Sequence, residues 1–223
     1  MINDTQKLKA IFCIACLFIG SLFSQTLHAQ TNDWNTWLSV ELTKDFGDKF
    51  KAYLSPQVRY ANKDGLDEYF LEAGMEYDLF SFLEVGGNYR YLINERQTKS
   101  TEYFHRIAFD LTGKYDISRL EFALRTRYTN YDELDNNEGF NDATLRYRLK
   151  SEYDIPNMKL TPSIGVELFH QLESKEINKI RYILGAAYKI NKRHKVELDY
   201  LLHTYSNNDR KSHILALEYK IAF

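Results

Sequence analysis

Residues 211–223, at the end of the chain, read KSHILALEYKIAF and alternate between two kinds of side chain. Successive residues of a β-strand point to opposite faces of the sheet. One face of this stretch carries His213, Leu215, Leu217, Tyr219, Ile221 and Phe223. The other face carries Ser212, Ile214, Ala216, Glu218, Lys220 and Ala222. The pattern therefore predicts an amphipathic strand whose apolar face ends in aromatic residues.

The aromatic end of this strand indicates what its apolar face contacts. Aromatic rings are enriched at both edges of the lipid-facing band of outer-membrane barrels. A terminal strand of this kind also resembles the signal that delivers barrel proteins to the bacterial barrel-assembly machinery. We therefore assign Tyr219, Ile221 and Phe223 as a candidate assembly signal, and we expect outer-membrane lipid to cover their face.

The beginning of the chain has the features of a secretory signal peptide. Two lysines precede an apolar run at 10–23, which is too short to span a bilayer as a helix, and a small-residue cleavage site follows. A lipoprotein signal cut before Cys16 is the alternative, but it would leave a very short apolar run. We predict that residues 1–29 are removed and that residues 30–223 form one outer-membrane barrel domain of a Gram-negative bacterium.

Composition excludes several classes of function. Both cysteines lie in the predicted signal peptide, so the mature chain has no disulfide, thiolate nucleophile or cysteine-bound metal. The formal net charge of −2 gives no indication of nucleic-acid binding. Ten glycines and three prolines leave no room for a flexible linker between domains.

The rest of the mature chain repeats the alternating pattern. Eleven such segments follow one another, at 33–44, 49–60, 68–79, 82–93, 102–115, 119–131, 142–153, 158–169, 179–190, 194–205 and 211–223. Short turns alternate with longer polar loops, at 61–67, 94–101, 132–141, 171–178 and 206–210. Short periplasmic turns and long outer loops are typical of outer-membrane barrels. The sequence therefore predicts an all-β fold, a transmembrane antiparallel up-and-down β-barrel.

Strand length and tyrosine placement support a membrane barrel. A strand of about 12 residues tilted by about 40° rises roughly 30 Å, enough for an apolar band of about 25 Å. Tyrosines and the terminal phenylalanine concentrate near the two strand ends, at Tyr60, Tyr69, Tyr91, Tyr103 and Tyr128 and at Tyr77, Tyr115, Tyr153, Tyr188, Tyr219 and Phe223. The alternative, a soluble barrel with its apolar face inside, would have to enclose more large side chains than a small barrel holds.

The number of strands is left open between ten and twelve. If both termini lie in the periplasm the number must be even, so segment 33–44 is partial or one strand has been missed. Pro56 removes a hydrogen-bond donor from the second segment and predicts an irregular ladder there.

The inward face carries the candidate functional residues. Alternation places seven arginines there, namely Arg90, Arg106, Arg125, Arg127, Arg146, Arg148 and Arg181. It also places Glu72 and Glu76 inward, and we expect these acids to face the arginines across the barrel. Charges in a narrow, low-dielectric tunnel attract anions or orient polar, sugar-like solutes. We assign these nine residues as a candidate selectivity wall.

Two interpretations of these charges remain open. They can line a narrow porin-like passage for small anionic or polar solutes. They can instead pair across the lumen and fill it, which would leave a structural or interaction barrel. A third and weaker interpretation is an outer-membrane hydrolase that uses His203, Ser206 and Asn207, but their spacing differs from that of outer-membrane phospholipases, and His203 points inward. We expect no enzyme activity and no cofactor.

The remaining chemistry-bearing residues do not predict a metal site. Three histidines predicted to point outward, His105, His170 and His213, are too far apart in the chain to show a metal-ligand spacing. Four carboxylates of one loop, Asp132, Glu133, Asp135 and Glu138, fit a solvated loop better than a cation site.

Several short landmarks resemble an uncharacterised outer-membrane family. In order they are Trp34 and Trp37, Tyr89-Arg90-Tyr91, Arg125-Thr126-Arg127-Tyr128, Arg146-Tyr147-Arg148, Glu167-Leu168-Phe169 and Arg181-Tyr182. Their order and spacing are similar to those of the domain of unknown function number 2490, over nearly the whole mature chain. The resemblance implies a porin-like barrel and supplies no substrate and no catalytic residue. The paired arginines are also similar in kind to the arginine tracks of small oligogalacturonate-specific porins, an analogy of wall chemistry alone.

Overall fold

The computed structural model describes residues 32–61, 65–95, 101–133 and 143–223. The predicted signal peptide and the middle of three predicted loops, including Asp135 and Glu138, lie outside the described residues. The described part of the chain contains no helix long and apolar enough to cross a membrane. It forms eleven strands: β1 Asn32–Phe46, β2 Phe50–Ala61, β3 Gly65–Phe80, β4 Leu83–Asn94, β5 Glu102–Ile117, β6 Leu120–Glu133, β7 Thr144–Tyr153, β8 Leu160–Gln171, β9 Glu176–Lys189, β10 His194–Tyr205 and β11 Lys211–Ala222.

The eleven strands close into one barrel, which confirms the predicted all-β architecture. Every pair of consecutive strands is antiparallel, but β1 and β11 pair in parallel, from Asn32 opposite Lys211 to Thr43 opposite Ala222. Eleven lies within the predicted range of ten to twelve, and segment 33–44 is not partial, because β1 is a full strand paired on both sides. An odd number of strands closes only when the first and last run in the same direction. β1 therefore starts at the end of the barrel opposite to the one where β11 finishes.

The connections distinguish the two ends of the barrel. At what we call the turn end, short connections use backbone conformations with positive φ at Gly47, Ser118 and Asn157. Such conformations let a chain reverse within a few residues. At the opposite end, which we call the loop end, β3 begins at Gly65 and β9 begins at Glu176, so two of the predicted loops are shorter than expected.

The predicted irregularity at Pro56 is present. The ladder between β1 and β2 pairs Ser39 with Gln57 and resumes at Leu42 with Leu54, leaving a gap opposite Pro56. The gap follows from the chemistry of proline, whose nitrogen has no hydrogen to donate to a ladder.

Alternation along the strands places aliphatic side chains outside the barrel and charged side chains inside. Leu124, Ile164 and Leu184 on the outer surface are 56%, 61% and 54% exposed, whereas Arg106 and Glu167 in the lumen are each 1% exposed. The soluble alternative, with the apolar face inside, requires the reverse arrangement. The outer surface therefore presents a band of hydrocarbon to its surroundings.

The last strand and the tyrosines follow the same rule. Leu215, Leu217 and Phe223 are exposed, while Ser212 and Ile214 are buried, as the alternation of residues 211–223 predicts. Exposed aromatic rings stand near the strand ends, at Tyr60, Tyr77, Tyr91, Tyr115, Tyr153 and Tyr188 and also at Phe46, Phe80 and Phe82. Aromatic rings therefore border the aliphatic band at both ends of the barrel.

One sector of the lumen is apolar. Ile183, Leu201 and Ile214 are buried together, and Trp37 packs against them. Leu201 of β10 lies directly opposite both Ile183 of β9 and Ile214 of β11, so the cluster is a continuous row across three strands. This row fills part of the lumen and leaves the polar space beside it.

Candidate functional site

The loop-end half of the lumen contains a cavity of about 520 Å³, which we call the loop-side cavity. Its lining is strongly basic. Among the described residues, three acidic side chains line it, Asp33, Asp67 and Glu68, against ten basic ones: Arg59, Arg90, Arg106, Arg125, Arg127, Arg146, Arg148, Lys179, Arg181 and Arg210. Such an excess of one sign within low-dielectric walls produces a positive potential inside the cavity.

The turn-end half contains a second cavity of about 360 Å³, which we call the turn-side cavity. Its lining is balanced, with eight acidic and eight basic side chains. Five of the basic ones are lysines, namely Lys51, Lys114, Lys150, Lys195 and Lys220. The positive excess of the lumen is therefore confined to the loop end.

Three arginines line both cavities. These residues, Arg125, Arg127 and Arg148, which we call the central arginines, extend from the adjacent strands β6 and β7. Alternation puts Arg125 and Arg127 on the same face of β6, and the register places Arg125 directly opposite Arg148. The central arginines therefore lie where the two cavities meet.

Glu167 is the principal counter-charge of the loop-side cavity. Its Oε1 accepts hydrogen bonds from Arg125 Nη2 at 3.2 Å and from Arg146 Nε and Nη2 at 3.1 and 2.8 Å. Its Oε2 accepts a hydrogen bond from Arg181 Nη1 at 2.9 Å. One buried carboxylate on β8 thus connects arginines of β6, β7 and β9.

Glu72 on β3 has the same role on the other side of the lumen. Its Oε2 accepts from Arg90 Nε at 2.9 Å and is in contact with Arg106 Nη2, while its Oε1 accepts from the Tyr53 hydroxyl at 3.2 Å. Arg106 also donates to Asn88 at 3.1 Å. Glu72 therefore pairs with arginines on the adjacent strand β4 and on the strand beyond it, β5, rather than with arginines across the barrel.

Asp110 on β5 binds one central arginine in a bidentate manner. Arg127 Nε and Nη2 donate to its two oxygens at 2.6 and 2.7 Å. Arg125 Nε lies 3.8 Å from the same carboxylate, which is an ion-pair distance but too long for a hydrogen bond. Asp110 is therefore mainly the counter-charge of Arg127.

Aromatic rings hold several of these cations in place. The guanidinium of Arg90 lies 3.5 Å from the centre of the Phe70 ring, and that of Arg59 lies 3.9 Å from the Trp37 ring. Phe169 is approached by three cations, Lys179, Arg146 and Arg181, at 4.0, 4.7 and 5.0 Å. Cation–π contacts of this kind stabilise charges that have lost part of their hydration.

The structure brings most of the predicted wall together but separates Glu76 from it. All seven predicted arginines line the loop-side cavity, and Glu72 contacts two of them. Glu76 instead lines the turn-side cavity and pairs with Lys51 at 3.2 Å. Because four residues of a strand span about 13 Å, Glu72 and Glu76 lie at different heights of the lumen. The expectation that both acids face the arginines across the barrel is therefore wrong.

Sequence reasoning missed the two acids that pair with the central arginines and several cavity residues. Asp110 and Glu167 are inward by the same alternation that identified the arginines, so the signal was present. Lys179, Arg59 and Trp37 also line the loop-side cavity and were not assigned to the wall.

The turn-side cavity has its own ion-pair network, centred on Glu197. Lys150 Nζ lies 2.9 Å from Glu197 Oε1, and Lys195 and Lys220 lie 3.6 and 3.7 Å from its Oε2. Lys220 is also 2.8 Å from Glu218. Here each lysine has at least one nearby acid, so the charges cancel locally.

The hydrolase residues are not assembled into a catalytic arrangement. His203 is buried and its Nε2 receives a hydrogen bond from Arg181 Nε at 2.7 Å, while Trp37 packs edge-on against its ring. Ser206 Oγ instead donates to the backbone carbonyl of Ile177. The serine and the histidine thus have different partners.

Two of the histidines predicted to point outward, His105 and His213, also have ordinary partners. His213 stacks on Trp34 with ring centres 4.7 Å apart and bonds the Tyr200 hydroxyl, and His105 contacts the Tyr89 hydroxyl. Among the described residues, no group of three or more histidine, cysteine, aspartate or glutamate side chains could hold a metal ion. The side chains of Asp132 and Glu133 lie outside this description.

Comparison with known proteins gives the following likenesses. No curated protein matches the chain. Among solved structures, the chain is similar to a KdgM porin, at 17% identity and a TM-score of 0.46, over 81% of this chain and 86% of that one. It is also similar to the anion-selective porin from Comamonas acidovorans, at 12% identity and a TM-score of 0.38, over 70% of this chain and 48% of that one.

A family model confirms the resemblance inferred from the sequence landmarks. The model described as "Protein of unknown function (DUF2490)" matches residues 34–213, which include every strand from β2 to β10 and most of β1. Because this match extends over well more than half of the sequence, the chain belongs to the DUF2490 family.

Proposed function

We propose that this protein is an integral outer-membrane barrel whose lumen is a narrow passage favouring small anions. The exposed aliphatic band with aromatic borders suits a lipid environment, and the predicted signal peptide and aromatic last strand fit delivery to the outer membrane. Lipid, the assembly machinery and a small anionic or sugar-like solute are then its expected partners.

The observation that carries the proposal is the charge of the loop-side cavity. Among the described residues, ten basic side chains line it against three acidic ones, and the three further acids that pair with these arginines, Glu72, Asp110 and Glu167, still leave four basic side chains in excess. In a narrow low-dielectric space this excess raises the local concentration of anions and repels cations.

Planar-bilayer recording tests the passage. Purified protein in a gradient of potassium chloride should give small current steps whose reversal potential has the sign of anion preference. Arg148→Glu should shift the reversal potential toward cations, because it exchanges a positive charge for a negative one between the two cavities. Silent bilayers, with a folded barrel shown by heat-modifiable gel migration, would contradict the passage.

The ion-pair networks favour a second candidate function, a closed structural or interaction barrel. Glu167 and Glu72 each hold side chains from several strands, and Glu197 does the same at the turn end. Buried charges held in this way stiffen a lumen and reduce its free width. The same bilayer recording separates the candidates, since a closed barrel gives no steps while its gel migration remains heat-modifiable.

The assembly partner can be tested at the end of β11. Phe223 is 64% exposed and its backbone N–H bonds the Thr43 carbonyl at 3.0 Å, so its ring is presented outward at the turn end. Deletion of Phe223 should lower the amount of heat-modifiable barrel in outer membranes several-fold. Phe109→Ala, which removes a similarly exposed ring from the middle of β5, is the control and should leave that amount close to normal.

A further inference from the structure

Arg125 and Arg148 are an opposed pair of arginines at the level where the two cavities meet. They lie directly opposite each other in the ladder between β6 and β7, and both line the loop-side and the turn-side cavity. Like charges directly opposite on neighbouring strands destabilise a sheet unless a counter-charge is near both. The pair therefore requires a negative charge close to both guanidinium groups.

Glu167 makes its hydrogen bonds with other arginines and none with Arg148. An ionised carboxylate has about four acceptor sites. Glu167 already accepts one hydrogen bond from Arg125, two from Arg146 and one from Arg181. Although Glu167 lies directly opposite Arg148 in the ladder between β7 and β8, Arg148 has no ion pair with any residue that the structure describes.

Asp110 lies at an ion-pair distance of 3.8 Å from Arg125 Nε but accepts no hydrogen bond from it. Both of its oxygens accept hydrogen bonds from Arg127, and Asn88 lies 3.4 Å from one of them. The buried Nε of Arg125 has no hydrogen-bond partner among the described residues. Arg125 and Arg148, one on each side of the β6–β7 ladder, thus carry guanidinium hydrogens that have no acceptor among the described residues.

We propose that Arg125 and Arg148 form a binding site for a compact, doubly charged oxyanion such as inorganic phosphate. A tetrahedral oxyanion has enough acceptor oxygens to take hydrogen bonds from two guanidinium groups at once, and the planar fork of arginine suits that geometry. Chloride carries one charge and no directional oxygens, so the site distinguishes the two anions. The bound anion also supplies a counter-charge to Arg148, while Arg125 already has Glu167 beside it.

The inference deepens the proposed function and rests on it, because the anion reaches the site through the loop-side cavity. Within the passage, a doubly charged oxyanion binds transiently at this site. Binding and conduction are measured separately, so each can fail without the other.

Calorimetric titration of the folded barrel in detergent with inorganic phosphate, at constant chloride and pH, tests the site. The wild-type protein should bind phosphate saturably, with one anion per barrel. Arg148→Met should weaken binding about tenfold or more, because a charge-assisted bidentate contact is lost. Arg148→Lys, which keeps the charge but not the fork, should weaken it less and is the variant to use if Arg148→Met does not fold.

Lys159→Met is the matched control. Lys159 is exposed at the turn end, where its Nζ donates to the Ile190 carbonyl, and it lies outside both cavities. Its loss changes the net charge by the same amount as Arg148→Met and should leave phosphate binding unchanged. Equal weakening by both variants would show a general charge effect and would overturn the site.

Two further outcomes separate this inference from the proposed function. Anion-selective current steps without saturable phosphate binding would overturn the site and leave the passage standing. Saturable binding that depends on Arg148, by a barrel that gives no current steps, would contradict the passage and support the site alone.

Discussion

The two halves of the lumen use charge in different ways. At the loop end, arginines outnumber acids, share Glu167 and Glu72 among several guanidinium groups, and stack on aromatic rings. At the turn end, lysines and acids are balanced around Glu197. A planar guanidinium carries five donors in a fixed fork and stacks well on an aromatic ring, whereas a lysine ammonium is a compact, strongly hydrated point charge. The comparison shows that arginine lets one end of a barrel keep an excess of positive charge while remaining packed.

The largest expected effect comes from removing the shared acid of the loop end. Glu167→Gln leaves three part-buried arginines without their common carboxylate, so the free energy of unfolding should fall by about 3–5 kcal/mol. Urea unfolding of the barrel in detergent measures the change. Glu152→Gln, at a more exposed turn-end pair with Lys150, should cost less than about 1 kcal/mol. Equal decreases in the free energy of unfolding for the two variants would contradict the difference between the two halves of the lumen.

A charge reversal in each half tests the difference in selectivity. Arg148→Glu, in the basic half, should shift the bilayer reversal potential strongly toward cations, since Arg148 has no ion pair among the described residues. Lys195→Glu, in the balanced half, should shift it less, because the neighbouring lysines of Glu197 remain to screen the new charge. A larger shift of the reversal potential from Lys195→Glu would contradict the assignment of the selective charge to the loop end.

Removing an aromatic ring that contacts the loop-end cations should have a smaller effect on stability. Phe169→Leu removes the ring that Lys179, Arg146 and Arg181 approach, so the free energy of unfolding should fall by about 1–2 kcal/mol. Phe109→Leu, on the outer surface, is the control and should change it by less than about 0.5 kcal/mol. Urea unfolding measures both changes. An unchanged free energy of unfolding in Phe169→Leu would show that stacking on this ring does not stabilise the cations.

The smallest effect needs no mutation. Raising the salt concentration from 0.1 M to 1 M shortens the Debye length from about 10 Å to about 3 Å. The anion preference of the wild-type passage should then decrease, because it arises from charges that ions in the cavity can screen. Reversal potentials at matched gradient ratios measure this decrease. A preference independent of salt would indicate selection by width rather than by charge.

Strand faces and the arginines of the lumen could be predicted from the sequence, because side-chain alternation needs only local information. Arg90, Arg127 and Arg146 were identified as inward in this way, and they line the loop-side cavity. The same rule would have found the apolar row of Ile183, Leu201 and Ile214, whose positions are also inward.

Pairing within the lumen could not be predicted, because it depends on the stagger of strands around the closed barrel. Glu76 was expected opposite the arginines, but its height places it beside Lys51. Glu167 reaches Arg125 two strands away, a contact that no spacing within one strand indicates. The parallel pairing of β1 with β11 was missed for the same reason, since alternation does not show which strands are neighbours.

That parallel seam has a consequence for how the polypeptide is oriented. Asn32 begins β1 beside Lys211 at the loop end, whereas Phe223 follows β11 beside Thr43 at the turn end. A segment joined directly to the start of β1 and another joined to the end of β11 would therefore leave the barrel at opposite ends. A barrel closed in this way begins its first strand at one rim and finishes its last strand at the other.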